Sequence, residues 1–110
     1  MPKSMDVLIE EWGGLAVVTN HDAETGTWIF IALHDATLGT PLGGTRMKNY
    51  ARKEDGLEDA MRLATGMTYK WASIEVPFGG GKSVLALGRE LGDDERRGLL
   101  ERYAQLLNAL

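Results

Sequence analysis

Two short apolar runs in the first third of the chain predict a β-hairpin. Residues 15–19 and 27–34 ("TWIFIALH") are rich in apolar and β-branched residues, and "DAETG" at 22–26 carries turn residues between them. Residues 5–12, which precede the hairpin, are amphipathic, but so short a segment leaves its element type open.

The strongest periodic segment covers residues 53–72 and predicts a helix. Its apolar side chains recur at spacings of three and four, which places them on one face of a helix with 3.6 residues per turn. This face carries Leu57, Ala60, Met61, Ala64, Met67, Thr68 and Trp71.

A second helix is predicted to begin near Asp93. We take Asp93 as its N-cap, after Gly92, and Asp94 and Glu95 suit the positive N-terminal end of a helix. Its apolar face carries Leu99, Tyr103, Leu106, Leu107 and Leu110. Because the sequence stops on an apolar helical residue with no C-cap after it, we expect it to be cut from a longer protein.

The remaining segments predict two more strands. Residues 38–47 mix strand and turn signals, and Gly43-Gly44 within them indicates either a bulge or the close approach of another backbone. Residues 84–87 are a short apolar run ended by Gly88. The order of elements predicts a single α/β domain of the three-layer type, with a mixed sheet, flanking helices and a helical crossover between the last two strands.

Composition narrows the classes of partner. The chain has 110 residues, a net charge of −4 and a pI near 5.1, which argue for one domain and against nucleic acid or an anionic membrane as partner. It has no apolar stretch of the roughly 20 residues that span a bilayer, and its first residues, "MPKSMDVLIEEW", lack the long apolar core typical of a secretory signal. It has no cysteine, which excludes disulfides, thiolate zinc sites and cysteine nucleophiles. We expect a cytoplasmic protein.

Lys82 follows three glycines in "PFGGGKSVLAL" (77–87), which first suggests a phosphate-binding loop. That motif requires a further glycine five residues before Gly81, where this chain has Val76. It also requires a helix after the lysine, whereas residues 84–87 predict a strand. The sequence therefore disfavours a phosphate loop, and Lys82 needs another explanation.

Lys70 is the second lysine of interest. On the predicted helix it lies about 220° around from Leu57, outside the apolar face. Gly66 lies one turn earlier on the same side, and a glycine inside a helix costs about 1 kcal/mol relative to alanine. We interpret Gly66 as making room for the Lys70 side chain, which leans toward the N-terminus of the helix.

The same residues also have ordinary structural explanations. A lysine outside the apolar face of a helix is usually solvated, Gly79–Gly81 can form a tight turn, and Met67 can fill the core. Arg46 can pair with a structural carboxylate as readily as with a substrate, and His34 is typical of a hydrogen-bonding residue at a strand end. The residues alone predict a soluble α/β domain with a glycine–lysine site.

Three motifs together resemble the amino-terminal domain of the glutamate/leucine/phenylalanine/valine dehydrogenase family. They are "PLGGTRM" (41–47), "EDAMRLATGMTYKWA" (58–72) and "VPFGGGKSVLAL" (76–87). The resemblance covers about residues 28–87 and is strongest to the leucine, valine and phenylalanine branch, in "HDATLGTPLGGTRM" (34–47).

The resemblance implies an enzyme that converts an L-amino acid reversibly to its 2-oxo acid and ammonia. Residues 1–110 then form its substrate-binding and oligomerisation domain, in a homo-oligomer. Lys70 matches the lysine that holds the substrate α-carboxylate, and Lys82 matches the catalytic lysine. Gly43, Gly44 and Met67 match positions that line the amino-acid pocket.

Leu42 indicates the class of substrate. Members of the glutamate branch resemble one another in having a lysine here, which pairs with the side-chain carboxylate of the substrate. Leu42 would leave such a carboxylate unpaired in an apolar pocket, so the resemblance implies an apolar amino acid.

Two parts of the family's machinery are missing from this sequence. The family also uses an aspartate beyond the last helix and a Rossmann domain that binds NAD or NADP, and no G-x-G-x-x-G motif occurs here. We therefore expect the chain alone to be inactive. The alternative is a non-catalytic oligomerisation or amino-acid-binding module.

Overall fold

The computed structural model describes residues 2–110, which form three helices and five strands. The helices are α1 (Met5–Trp12), α2 (Lys53–Ser73) and α3 (Asp93–Ala109). The strands are β1 (Ala16–Asp22), β2 (Thr27–Leu33), β3 (Pro41–Leu42), β4 (Thr45–Asn49) and β5 (Gly79–Leu87). The predicted hairpin and both predicted helices are confirmed, and residues 5–12 are a helix whose first turn is capped by the Ser4 hydroxyl.

The strands form one mixed sheet with β5 at its centre. β1 pairs antiparallel with β2, and β2 pairs antiparallel with β5. β3 and β4 follow one another along the other edge of β5, and both run parallel to it. Because α2 connects the parallel strands β4 and β5, the predicted helical crossover is confirmed.

Helices cover both faces of the sheet, as the three-layer prediction requires. Side chains alternate along β2, so Phe30 and Ala32 pack in the core beneath α1 and α2, whereas Ile29 and Ile31 pack in the core beneath α3. Phe30 is fully buried, which stabilises the fold by about 1.5–3 kcal/mol. None of the helices within residues 2–110 is long and apolar enough to cross a membrane.

The α3 helix differs from the prediction at both ends. Gly92, not Asp93, is the N-cap, and its backbone N–H donates to the Glu95 carboxylate at 3.2 Å. Glu95 thus supplies the half of a capping box that reaches back to the N-cap N–H, while the N-cap glycine offers no side chain to the first helical amides. At the other end Leu107 and Leu110 are 42% and 67% exposed, because they lie over a cavity at the sheet edge and not over the core.

The β1–β2 turn is tied to α3 by a buried carboxylate. Asp22 is 6% exposed and accepts hydrogen bonds from the Arg102 guanidinium at 2.5 and 3.0 Å. It also accepts one from the Thr25 hydroxyl. The Arg102 hydrogen bonds lower the pKa of Asp22, and they outweigh the opposing effect of burial.

Asp22→Ala is expected to lower the free energy of unfolding of the 110-residue chain by about 2–3 kcal/mol, because charge-assisted hydrogen bonds are lost. Since the native pKa of Asp22 lies below its unfolded value, the carboxylate stabilises the fold above about pH 4. That stabilisation is lost as the pH falls through the native pKa. The stability difference between wild type and variant should therefore shrink below about pH 4.

Urea unfolding at neutral and acid pH measures both effects. Glu24→Ala is the matched control, because Glu24 pairs with the same arginine but is 75% exposed. It should change stability by no more than about 1 kcal/mol. A difference between wild type and Asp22→Ala that stayed constant with pH would contradict the role of the ionised carboxylate.

Candidate functional site

The break between β3 and β4 lies at Gly43-Gly44, beside β5. A Cβ atom on Gly43 would lie 1.6 Å from the Gly81 carbonyl oxygen, so only glycine allows the two backbones to come this close. Of the two interpretations of this glycine pair, the structure supports the close backbone approach. Leu42 and Thr45 on either side pair with Gly80 and Ser83 of β5.

The three glycines before Lys82 begin strand β5, so their interpretation as a tight turn is wrong. A Cβ on Gly79 would lie 1.7 Å from the Asp35 carbonyl oxygen. One on Gly80 would lie 2.1 Å from the Thr68 hydroxyl and 2.2 Å from the Ala64 carbonyl oxygen of α2. The glycines therefore let a neighbouring loop and a helix pack directly against the strand backbone.

Lys82 is half-buried between the buried residues Gly81 and Ser83. Its Nζ lies so close to Gly44 that a Cβ on that glycine would be 3.2 Å from it. Alternation along β5 places Lys82 on the same sheet face as Val84 and Ala86, which α2 covers. The missing Cβ of Gly44 thus lets the Lys82 ammonium lie directly beside the backbone between β3 and β4.

Lys70 is exposed on the last turn of α2. Its Nζ lies 5.9 Å from the centre of the Trp71 ring, and the Trp71 indole N–H donates to the Leu42 carbonyl at 3.0 Å. A Cβ on Gly66 would meet nothing within 4 Å, so the interpretation that Gly66 makes room for Lys70 is wrong within this chain. Among the ion pairs within residues 2–110, none includes Lys70 or Lys82.

A cavity of about 430 Å³ opens at this edge of the sheet. It is lined by Leu42, Gly43 and Lys82 together with residues of β2, β5 and α3, among them Ile31, Leu33, Ser83, Tyr103, Leu107 and Leu110. The predicted residues Leu42, Gly43, Gly44 and Lys82 are thus brought together. Met67, half-buried on α2, and Lys70 do not line the cavity, and Lys70 is joined to it only through Trp71.

Two contributors to this region were not assigned to the site by sequence reasoning. Tyr103 was predicted only as a core residue, but its hydroxyl hydrogen-bonds the Thr45 hydroxyl at 2.8 Å and it lines the cavity. Trp71 was predicted only as part of the apolar face of α2. In the sequence, the only hint of these roles was that a buried tyrosine or tryptophan usually needs a hydrogen-bond partner for its O–H or N–H. The partners themselves, Thr45 and Leu42, are 58 and 29 positions away and could not be identified.

Arg46 is engaged with a structural carboxylate, which resolves the ambiguity about it. Asp59 accepts hydrogen bonds from Arg46 at 3.0 Å, from Arg62 and from the Tyr50 hydroxyl. Burial opposes ionisation of Asp59, but these hydrogen bonds outweigh burial and lower its pKa. Burial and the Asp59 carboxylate raise the pKa of Tyr50 to about 12. This network joins β4 to α2.

His34 follows the end of β2 and makes the hydrogen bond predicted for it. Its ring Nδ1 lies 2.8 Å from the Thr68 hydroxyl on α2, and its backbone N–H donates to the Gly80 carbonyl. It therefore helps to hold α2 against the start of β5.

The described residues do not fit a dinucleotide or a metal ion. The β4–α2–β5 unit has the right topology for a nucleotide fold, but the turn before α2 reads Tyr50-Ala51-Arg52 without glycine. The first turn of α2 carries Glu54 and Asp55, whose negative charges oppose a pyrophosphate. Within residues 2–110 no group of three or more acidic or histidine side chains could hold a metal.

Comparison with known proteins agrees with the geometry. A family model described as "Glu/Leu/Phe/Val dehydrogenase, dimerisation domain" matches residues 16–110. A phenylalanine dehydrogenase from Lysinibacillus sphaericus is 41% identical over 97 residues, which cover 86% of this chain and 24% of that protein. A leucine dehydrogenase from Bacillus subtilis is 43% identical over 102 residues, which cover 91% of this chain and 28% of that protein.

A solved structure extends the similarity to three dimensions. The crystal structure of L-tryptophan dehydrogenase from Nostoc punctiforme matches with a TM-score of 0.76 at 37% identity. The match covers 94% of this chain and 32% of that one. The chain thus spans between 24% and 32% of the length of these relatives.

Proposed function

The chain belongs to the Glu/Leu/Phe/Val dehydrogenase family, and we propose that it is the amino-terminal substrate-binding and oligomerisation domain of an amino-acid dehydrogenase. In this proposal the full enzyme catalyses the NAD(P)-dependent, reversible oxidative deamination of an apolar L-amino acid to its 2-oxo acid and ammonia. The observation that carries the proposal is the half-buried Lys82, which has no carboxylate partner within residues 2–110 and whose ammonium lies beside Gly44.

The different positions of Lys82 and Lys70 suit them to different roles. A half-buried ammonium without a carboxylate partner is suited to a polar group of a substrate, since buried charges are otherwise paired. Lys82 therefore hydrogen-bonds the substituent on the reacting carbon and moves a proton at Nζ as water adds or leaves. Lys70, exposed at the end of α2, pairs with the α-carboxylate as a point charge.

The cavity supports an apolar substrate side chain. Leu42 lines it together with the aliphatic side chains of Leu33 and Leu107. None of these can pair with a second carboxylate, which would remain desolvated at a cost of several kcal/mol. The compared relatives act, by their names, on phenylalanine, leucine and tryptophan.

The nicotinamide cofactor, which supplies the hydride acceptor, belongs in this proposal to a part of the enzyme outside residues 2–110. The described residues lack a site that fits it. The 110-residue chain is therefore expected to bind substrate weakly and not to turn it over. Its family description as a dimerisation domain supports a homo-oligomer.

Lys70→Ala tests the carboxylate contact. In the full enzyme it is expected to raise KM for both the amino acid and the 2-oxo acid about ten- to a hundredfold, because a charge-assisted contact of roughly 1.5–3 kcal/mol is lost. Steady-state kinetics in both directions measure this. Lys48→Ala is the matched control, because Lys48 is an exposed lysine on β4 whose Nζ lies over the Tyr50 ring. Unchanged KM values in Lys70→Ala would make Lys70 an ordinary solvated lysine.

Leu42→Lys tests the class of substrate. The new ammonium would oppose an aliphatic side chain and attract a carboxylate, so the preference for leucine over glutamate in kcat/KM should fall about ten- to a hundredfold, or roughly 1.4–2.8 kcal/mol. Leu38→Lys is the control, since Leu38 is 53% exposed and does not line the cavity. If Leu42→Lys left the ratio unchanged, Leu42 would not face the substrate side chain.

A full-length protein without deaminating activity would support the non-catalytic module instead.

A further inference from the structure

The β3 strand is joined to the last turn of α2 by a single side-chain hydrogen bond. The Trp71 indole N–H donates to the Leu42 carbonyl at 3.0 Å. β3 has only two residues, which pair with Gly79 and Gly80, so the strand has few backbone contacts of its own. The chain then passes under the Gly81 carbonyl at Gly43. The indole bond thus fixes the chain where it enters the candidate site.

The Trp71 ring is itself held in place. It packs edge-on against Phe78 with ring centres 5.8 Å apart at 73°, and Phe78 immediately precedes β5. The ammonium of Lys70 lies 5.9 Å from the centre of the same ring. One side chain of α2, next to Lys70 in sequence, therefore contacts two other segments, those that carry Leu42 and the start of β5.

We propose that Trp71 is a positioning residue that sets the distance between the Lys70 ammonium and the apolar wall at Leu42. This inference rests on the proposed function, in which one substrate spans both residues with its α-carboxylate and its side chain. The hydrogen bond and ring contacts of Trp71 within residues 2–110 do not include Lys82, so we expect its effect on substrate binding and not on the chemical step. If Lys70 and Leu42 moved independently, their spacing would no longer match the distance between the α-carboxylate and the side chain of the substrate.

The mechanical part of the inference can be tested on the 110-residue chain alone. Trp71→Phe removes the N–H donor and keeps an aromatic ring against Phe78. Amide exchange measured by NMR should then accelerate about tenfold at Gly79 and Ser83, which donate across the β3–β5 and β4–β5 junctions to Thr40 and Gly44. The Tyr50 amide, which donates to Leu87 at the far end of the same edge, should keep its rate and serves as the internal reference.

Trp12→Phe is the matched control for loss of an indole donor. Trp12 donates to the Met61 carbonyl and the Thr65 hydroxyl, both at 3.0 Å, between α1 and α2. Trp12→Phe should destabilise the chain without a selective increase in amide exchange at Gly79 and Ser83. Equal exchange at these amides in wild type and Trp71→Phe would overturn the inference whatever the enzyme does.

The functional part uses the full enzyme. Trp71→Phe is expected to raise KM for the amino acid about tenfold, the effect of roughly one hydrogen bond, and to change kcat less than about threefold. Trp71→His, which retains a ring N–H, should recover most of the loss in KM. A KM unchanged by Trp71→Phe, or no recovery with histidine, would overturn the inference. An inactive wild-type enzyme would instead overturn the proposed function, and the amide-exchange result would still test whether Trp71 holds β3 in place.

Discussion

Lys82→Ala in the full enzyme is expected to lower kcat by about a hundred- to ten-thousandfold, the range found when a group that transfers protons is removed. Lys82 has no ion-pair partner within residues 2–110, and its ammonium lies beside the backbone of Gly44. An alanine would leave the substituent on the reacting carbon without a proton donor or acceptor at this position. Because a substrate carboxylate would still meet Lys70, KM should change much less than kcat.

Two comparisons make the Lys82 experiment specific. Lys82→Arg keeps the positive charge, but a guanidinium does not give up its proton, so it should be nearly as inactive as alanine. Lys48→Ala removes the same charge from the neighbouring strand β4 and should retain full activity. The folded state is checked by circular dichroism and urea unfolding of each variant. A kcat near the wild-type value in Lys82→Ala would remove this residue from the mechanism.

The elements were predicted where a local pattern determines them. The first part of the predicted apolar face of α2 is confirmed, since Leu57, Ala60, Met61 and Ala64 are all buried, whereas its last members, Met67, Thr68 and Trp71, are only half-buried. The hairpin was predicted because turn residues separate two apolar runs. In both cases the pattern of neighbouring residues is enough to predict the element, so no contact distant in sequence has to be known.

The errors and omissions arise where a distant contact determines the structure. Gly79–Gly81 form a strand although glycine has low strand propensity, because α2 and the Asp35 carbonyl pack against their bare backbone. Leu107 and Leu110 continue the apolar period of α3, but the sheet beneath them ends at the cavity. The bond from Trp71 to Leu42 spans 29 positions and leaves no local pattern.

The candidate site shows the same division. Residues alone indicated a glycine–lysine site, whereas the roles of Lys70 and Lys82 came from the resemblance of three motifs. The structure brings Leu42, Gly43, Gly44 and Lys82 to one edge of the sheet, which no single motif could indicate. It leaves Lys70 and Met67 off the cavity, so their roles remain predictions, and Lys70→Ala tests that of Lys70.

Gly80→Ala is expected to destabilise the 110-residue chain by about 3 kcal/mol or more, at the upper end of what overpacking costs. The new methyl would lie 2.2 Å from the Ala64 carbonyl oxygen and 2.4 Å from the Thr68 backbone nitrogen, and neither backbone atom can rotate away. α2 would have to move off β5, which would open the core around Leu57 and Val84. Since domains of this size are stable by about 5–15 kcal/mol, a large part of the stability would be lost.

Gly66→Ala is the matched control, because it makes the same change on the same helix where a Cβ meets nothing within 4 Å. It should stabilise the chain by about 1 kcal/mol through helix propensity alone. Urea unfolding of both variants therefore gives effects of opposite sign from one chemical change. Equal and small effects would mean that α2 does not rest on the bare backbone of Gly80.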